Sequence, residues 1–246
     1  MGWGNGTDIH QVLPPYAEKD KPSDAEPAEI GQLICTVVPE FKHPLSVFDA
    51  QRSDQVNHNT IAGTIRVLNP ATDFRPKPDR LPIYKVRLGE CEEILSIHSK
   101  MRPCIVLAVA DGIHDNDLPK SEAGHARPAF QRRSYLVAPA YSVSTPTEPR
   151  AIVPTIAARA ECLIYPNLVF LPRSGGYIRN DSVVRLDRAF WTTLPPPTEL
   201  YKHALSKERQ AILFGQLLVL HGEEPGEVYR EMVALLREEL AEVHKI

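Results

Sequence analysis

Four cysteines are scattered through the 246 residues, and no two of them stand at C-x-x-C spacing. A disulfide framework is therefore not expected, and no metal ligand set is read from the chain. Cys35, Cys104 and Cys162 sit inside apolar, strand-like runs, whereas Cys91 lies between acidic residues; they read as the reduced thiols of a cytoplasmic protein. No run of 18 apolar residues occurs, and no apolar segment follows the N-terminus. A membrane-spanning helix and a secretory leader are thus not expected. Charge of one sign is also missing: 28 Lys and Arg stand against 31 Asp and Glu, a net charge of −3. That argues against a broadly basic nucleic-acid coat and leaves room for a local basic groove. No internal repeat and no low-complexity tract interrupts the chain.

Residues 1–28 are rich in Gly, Pro, Lys, Asp and Glu, with few large apolar groups after Tyr16, the composition of a mobile arm. The β-branched run Gly31–Val38, closed by Pro39, predicts the first strand of a core over residues 29–197. Residues 41–100 read as a long insertion with turn formers at Asn69–Arg80 and strands at Ile61–Leu68 and Ile83–Leu88. Cys104–Ala110 is continuously apolar, as a strand covered on both faces would be. The polar loop Asp111–Arg133 follows, with His114, His125, Arg127, Arg132 and Arg133 offering a basic lip or a solvated charge cluster. Further strands are expected at Tyr135–Tyr141, Ala151–Ala157, Cys162–Leu171 and Val183–Phe190. Such spacing predicts a mainly β chain, a small antiparallel barrel or sandwich.

Beyond Pro195-Pro196-Pro197 the periodicity becomes helical, and residues 198–246 are expected to pack on the barrel or on a partner. One helix follows Ser206, through Ile212, Leu213, Leu217 and Leu220, and ends at Gly222. A second follows Pro225, with a stripe of Val228, Met232, Leu235, Leu236, Leu240 and Val243.

Chemistry concentrates at Asp181–Thr193. On a strand, Val184, Leu186 and Phe190 share one face and Arg185 and Asp187 the other. A carboxylate can then take a proton while a guanidinium neutralises developing charge. The same spacing also describes an ordinary ion pair on a solvated strand.

Four segments in order resemble the MazF, PemK and Kid family of toxin endoribonucleases: I-G-Q-L-I-C-T-V-V at Ile30–Val38, R-P-C-I-V-L at Arg102–Leu107, L-V-A-P-A-Y-S at Leu136–Ser142 and S-V-V-R-L-D at Ser182–Asp187. The resemblance implies an SH3-like antiparallel barrel of the PemK/MazF/CcdB type, to which the long insertion and the last C-terminal helix are additions. It implies a homodimer that cuts single-stranded RNA without a metal or cofactor and is restrained by a cognate antitoxin. On the matching positions, Asp187 would deprotonate the ribose 2'-hydroxyl and Arg185 would stabilise the phosphorane-like charge, leaving a 2',3'-cyclic phosphate. Arg102 matches a phosphate-contacting Arg; as a residue, it could equally be a donor pinning the loop before Pro103. Tyr141 stands where the family commonly has Thr, and could stack on a base or donate its hydroxyl. Ser142 matches the neighbouring hydroxyl, and His43 falls near the family's His after the first strand. His98, four residues before Arg102, is a further candidate. A barrel that has lost catalysis and serves as an RNA- or protein-binding module is the alternative.

Overall fold

The computed structural model describes residues 13–18, 27–52, 56, 61–77, 88–89, 91–122, 131–174 and 176–239. The chain divides into two compact units, one of Met1–Val37 with Met101–Ile246 and the other of Val38–Lys100. The expected strand at Ile83–Leu88 lies, apart from Leu88, outside the described residues, as does most of the 1–28 arm.

The larger unit is mainly antiparallel β with three helices among the described residues, and its sheet curls into a half-barrel. Its strands are β1 (Tyr16–Glu18), β2 (Gln32–Glu40), β6 (His98–Ala110), β7 (Ser134–Ser142), β8 (Leu168–Leu171), β9 (Ser182–Arg185), β10 (Phe190–Thr192) and β11 (Glu199–Leu205). They order as β1-β11-β2-β6-β7-β9-β8, and β10 also pairs with β7. Alternation along these strands sends Leu33, Ile105, Leu107, Ala138, Ala140, Val184 and Leu205 into one core, which Leu186 joins from the turn after β9. Burying each of the larger ones stabilises the fold by about 1.5–3 kcal/mol.

Residues 151–157, expected as a strand, instead lead into helix α1 (Pro154–Glu161). Ile152, Val153, Thr155 and Ile156 have strand character. Pro154, however, occupies the first turn, where its fixed φ fits and its missing N–H costs nothing, and Ala157, Ala158 and Ala160 carry the helix on. The small alanines let α1 lie close over Leu168, Phe170 and Val183 on the outer face of the sheet. The strand expected over Cys162–Leu171 is shortened for the same reason: Cys162 caps α1 and Leu163 turns the chain at φ +57°, so that only Leu168–Leu171 extends.

Helix α2 (Lys207–Leu220) begins where the Ser206 side chain accepts from the Arg209 N–H at 3.2 Å. It ends where Gly222 takes φ +77° and the Glu223 N–H reaches the Leu218 carbonyl at 2.9 Å. Helix α3 (Glu227–Glu239) packs back on α2 through Tyr229, Met232 and Leu236, which join Ile212, Cys162 and Leu163. Val228 and Leu235, expected in the buried stripe, are 52% and 38% exposed. Leu240 and Val243 lie outside the described residues.

The smaller unit holds a three-stranded antiparallel sheet, β4 (Ile61–Val67), β3 (Ser46–Arg52) and β5 (Ile94–Ser96), with β3 in the centre. Arg66 donates to both carboxylate oxygens of Asp73, at 2.7 and 2.6 Å, and to Asp49 at 3.4 Å, tying the turn after β4 back to the sheet. The Asn69 N–H adds a bond to Asp73 at 2.8 Å. These donors hold the Asp73 carboxyl far below the usual carboxylate range.

Candidate functional site

Three neighbouring strands, β6, β7 and β9, bring four of the expected residues together. Cys104 pairs with Pro139 and Ile105 with Ala138; carrying that register two residues further places Arg102 opposite Tyr141. On the other side of β7, Tyr141 pairs with Val183. Arg185 lies two residues along from Val183 on the same face and is a diagonal neighbour of Tyr141. Tyr141 thus stands between two arginines. The Arg102 guanidinium carbon lies 4.6 Å from the Tyr141 ring centroid, a cation–π contact. The Tyr141 ring also packs on the cluster of Val143, Ile152, Ala157, Phe170 and Val183 beneath α1.

Arg185 and Asp187 meet, but not side by side on one strand. Val184 pairs with Ala140 and Phe190 with Val137, so six residues on one strand face three on the other. The surplus is taken up by a 3-10 turn at Leu186–Arg188. Leu186 turns into the core and Asp187 is thrown outward at the crest of the turn. Arg185, the last residue of β9, grips Asp187 with Nε on Oδ1 at 3.1 Å and Nη2 on Oδ2. Their side chains are 34% and 35% exposed, and such a half-exposed pair contributes only about 0–1 kcal/mol to stability. Its effect on ionisation is clearer. The hydrogen bonds from Arg185 hold the Asp187 carboxyl below its ordinary value, against a smaller opposing effect of burial, and the Arg188 charge adds to them. Asp187 in turn raises the already high Arg185 value, with a further contribution from the nearby Tyr141. Near neutral pH the site therefore holds one carboxylate and two guanidinium groups beside a phenol.

The other expected residues are placed elsewhere. Ser142 pairs with Ser182, and alternation turns it to the face opposite Tyr141. His43 is exposed in the smaller unit. His98, whose strand β6 begins before the unit boundary at Met101, belongs to the same unit and helps line a small pocket with Glu40, Phe41, Lys42, Pro44, Leu45, Ser46, Ser96 and Ile97. Of the basic lip, His125 and Arg127 lie outside the described residues, and Arg133 is paired with Asp111 at 2.7 Å.

Residues 199–205, expected to belong to the C-terminal helices, form strand β11 instead, and two contacts also escaped the sequence reading. One is the contact between Arg102 and Tyr141, which depends on strand register. The other is a group of rings that joins the β8–β9 loop to β11: Tyr177 lies 4.9 Å from Tyr201 and 4.1 Å from His203, centroid to centroid. The alternation of Tyr201 and His203 along β11 was the available signal for that group. Cys35 is half-buried on β2, and burial pushes its thiol up.

No family model, no curated protein and no solved structure matches this chain. No helix among the described residues is long and apolar enough to cross a membrane.

Proposed function

We propose that the chain is a toxin-like endoribonuclease on an SH3-like barrel, related to the MazF, PemK and Kid proteins. It cleaves single-stranded RNA without a metal, works as a homodimer in the cytoplasm, and is restrained by a cognate antitoxin. The observation that carries this reading is the row Arg102, Tyr141, Arg185 and Asp187 across three strands, with an ionised carboxylate at one end. A phosphodiester lying along that row would meet guanidinium charge where negative charge develops in the transition state. Asp187 would accept the 2'-hydroxyl proton as that oxygen attacks the adjacent phosphorus. The bond from phosphorus to the 5'-oxygen breaks, the departing oxygen takes up a proton from water while Asp187 releases the one it accepted, and the products are a 2',3'-cyclic phosphate and a 5'-hydroxyl.

The low basicity of Asp187 shapes the balance of this chemistry. A base held well below neutral pH is a weak proton acceptor, so more of the acceleration falls to Arg185. The same observation favours a second reading. Arg185 and Asp187 satisfy each other, and a barrel that has kept this row of residues and lost the reaction would bind RNA without cutting it.

Incubating a mixed-sequence single-stranded RNA with the protein in EDTA separates the two. The ribonuclease reading expects cleavage by the wild type and a loss of about 10²–10⁴-fold in Asp187→Asn and Arg185→Gln. Equal cleavage by wild type and both variants would overturn the assignment. Retention of the RNA without cleavage would favour the binding module.

A further inference from the structure

Arg102 is the natural candidate for a direct phosphate contact, yet its guanidinium is engaged with a ring. It lies 4.6 Å from the Tyr141 centroid, within the range of a cation–π contact. Tyr141 is also held by the cluster beneath α1. The ring of Tyr141 is therefore fixed by its surroundings, and the polar group it has left to offer is its hydroxyl. Register puts that side chain diagonally beside Arg185, and its electrostatic influence on Arg185 agrees with this proximity.

The geometry points to Arg102 as a positioning residue that acts through Tyr141, clamping the ring so that the phenol hydroxyl stands beside Arg185 as a hydrogen-bond donor to the scissile phosphodiester. This rests on the ribonuclease reading of the same site and adds the donor and what holds it. The hydroxyl donates to a non-bridging phosphate oxygen as charge builds there, while Arg185 supplies the positive charge. A phenol stands well out from its backbone on two rotatable bonds, so the position of its oxygen depends on what fixes the ring. A donor displaced by about 1 Å loses much of its effect on a transition state. On this account Arg102 matters through the Tyr141 hydroxyl and has little effect once that hydroxyl is gone.

A double-mutant cycle reads this directly. Single-turnover cleavage of the mixed-sequence RNA is measured for the wild type, Tyr141→Phe, Arg102→Met and the double variant. Affinity for a 2'-O-methyl strand of the same sequence, which cannot be cut by 2'-hydroxyl attack, is measured alongside. Tyr141→Phe keeps the ring and is expected to lose about 10²-fold in rate, the loss expected from deleting one preorganised donor, with little change in affinity. Arg102→Met should lose a similar amount and the double variant no more than the worse single variant. Arg102→Lys, which keeps a cation over the ring, should recover part of the rate and guards against a misfolded Arg102→Met. Losses that multiply would mean that Arg102 touches the phosphate independently and would overturn the proposal, as would a Tyr141→Phe variant with the wild-type rate. A wild type that binds the 2'-O-methyl strand but cuts nothing removes the ribonuclease reading alone. The clamp is then read from the Tyr141 ring itself by NMR, where a ring that flips faster in Arg102→Met supports it and an unchanged flip rate overturns it. A wild type that neither cuts nor binds overturns both.

Discussion

Replacing Gly215 with alanine places a methyl group where helices α2 and α3 come closest. A Cβ at Gly215 would lie 2.5 Å from the Tyr229 Cβ, 2.6 Å from Cγ and 3.0 Å from Cδ2. Carbon atoms not bonded to each other pack at about 3.5–4.0 Å, so the contact must open by about 1 Å. The Tyr229 Cβ cannot rotate away, because its position is set by the backbone of α3. Relief therefore has to come from moving one helix against the other. Overpacking of this kind costs about 1–3 kcal/mol, and the gain from replacing glycine inside a helix offsets about 1 kcal/mol of it. The expected outcome is a net loss of up to about 2 kcal/mol, seen as a fall in melting temperature of up to about 8 °C for a chain of this size. Thermal and denaturant unfolding would measure it, with exposed Ala211→Gly on the same helix as the comparison for propensity alone. Tyr229→Ala should not rescue Gly215→Ala, since alanine keeps the clashing Cβ. A Gly215→Ala variant more stable than wild type would refute the close approach. The buried face of α3, Tyr229, Met232 and Leu236, would then have to be reassigned away from α2.

Two further outcomes follow from ionisation. Because Arg185 depresses the folded-state value of Asp187, the pair's stabilisation is present above the unfolded carboxylate value, about 3.9, and is lost as the pH falls through the lower folded value. The Asp187 carboxyl signal followed by NMR should titrate below an ordinary Asp and move up towards the ordinary Asp value in Arg185→Gln; an unchanged midpoint would remove Arg185 as the cause. Among the thiols, exposed Cys91 should react first with a soluble thiol reagent at mildly alkaline pH. Half-buried Cys35 should be slower and buried Cys104 slower still, because burial raises both thiols. Cys35 reacting as fast as Cys91 would contradict that placement.

Much of the local structure is legible in the residues that carry it. The β-branched run after Gly31 and the apolar run at Tyr135–Tyr141 become β2 and β7, and Ser206 and Gly222 bracket α2 where their capping chemistry predicts. The misreadings have equally local causes. At 151–157 the β-branched residues outweigh a single Pro on a propensity reading, yet Pro154 at the first turn and the alanines behind it decide for helix. Along α3 the buried stripe is rotated towards Tyr229, which fills the gap left by Gly215. At the site, alternation predicts Val184, Leu186 and Phe190 on one face; Val184 and Leu186 lie in the core, whereas Phe190, paired with Val137 after the turn, does not join it. It gives no sign of the turn that lifts Asp187 out of the strand, because Leu186 points inward either way. That turn becomes visible only when both ends of the segment are paired with β7. The neighbourhood of Arg102, Tyr141 and Arg185 is likewise a matter of register between strands far apart in sequence, which no local pattern encodes.

The central claim is that Asp187 and Arg185 promote attack by a ribose 2'-hydroxyl, and the ends of the cleaved RNA test it most directly. Mass spectrometry of the fragments made in EDTA should find a 2',3'-cyclic phosphate on one side of the cut and a 5'-hydroxyl on the other, with no cut at positions carrying a 2'-O-methyl group. Fragments ending in a 3'-hydroxyl and a 5'-phosphate, or cleavage that persists through 2'-O-methyl positions, would contradict it.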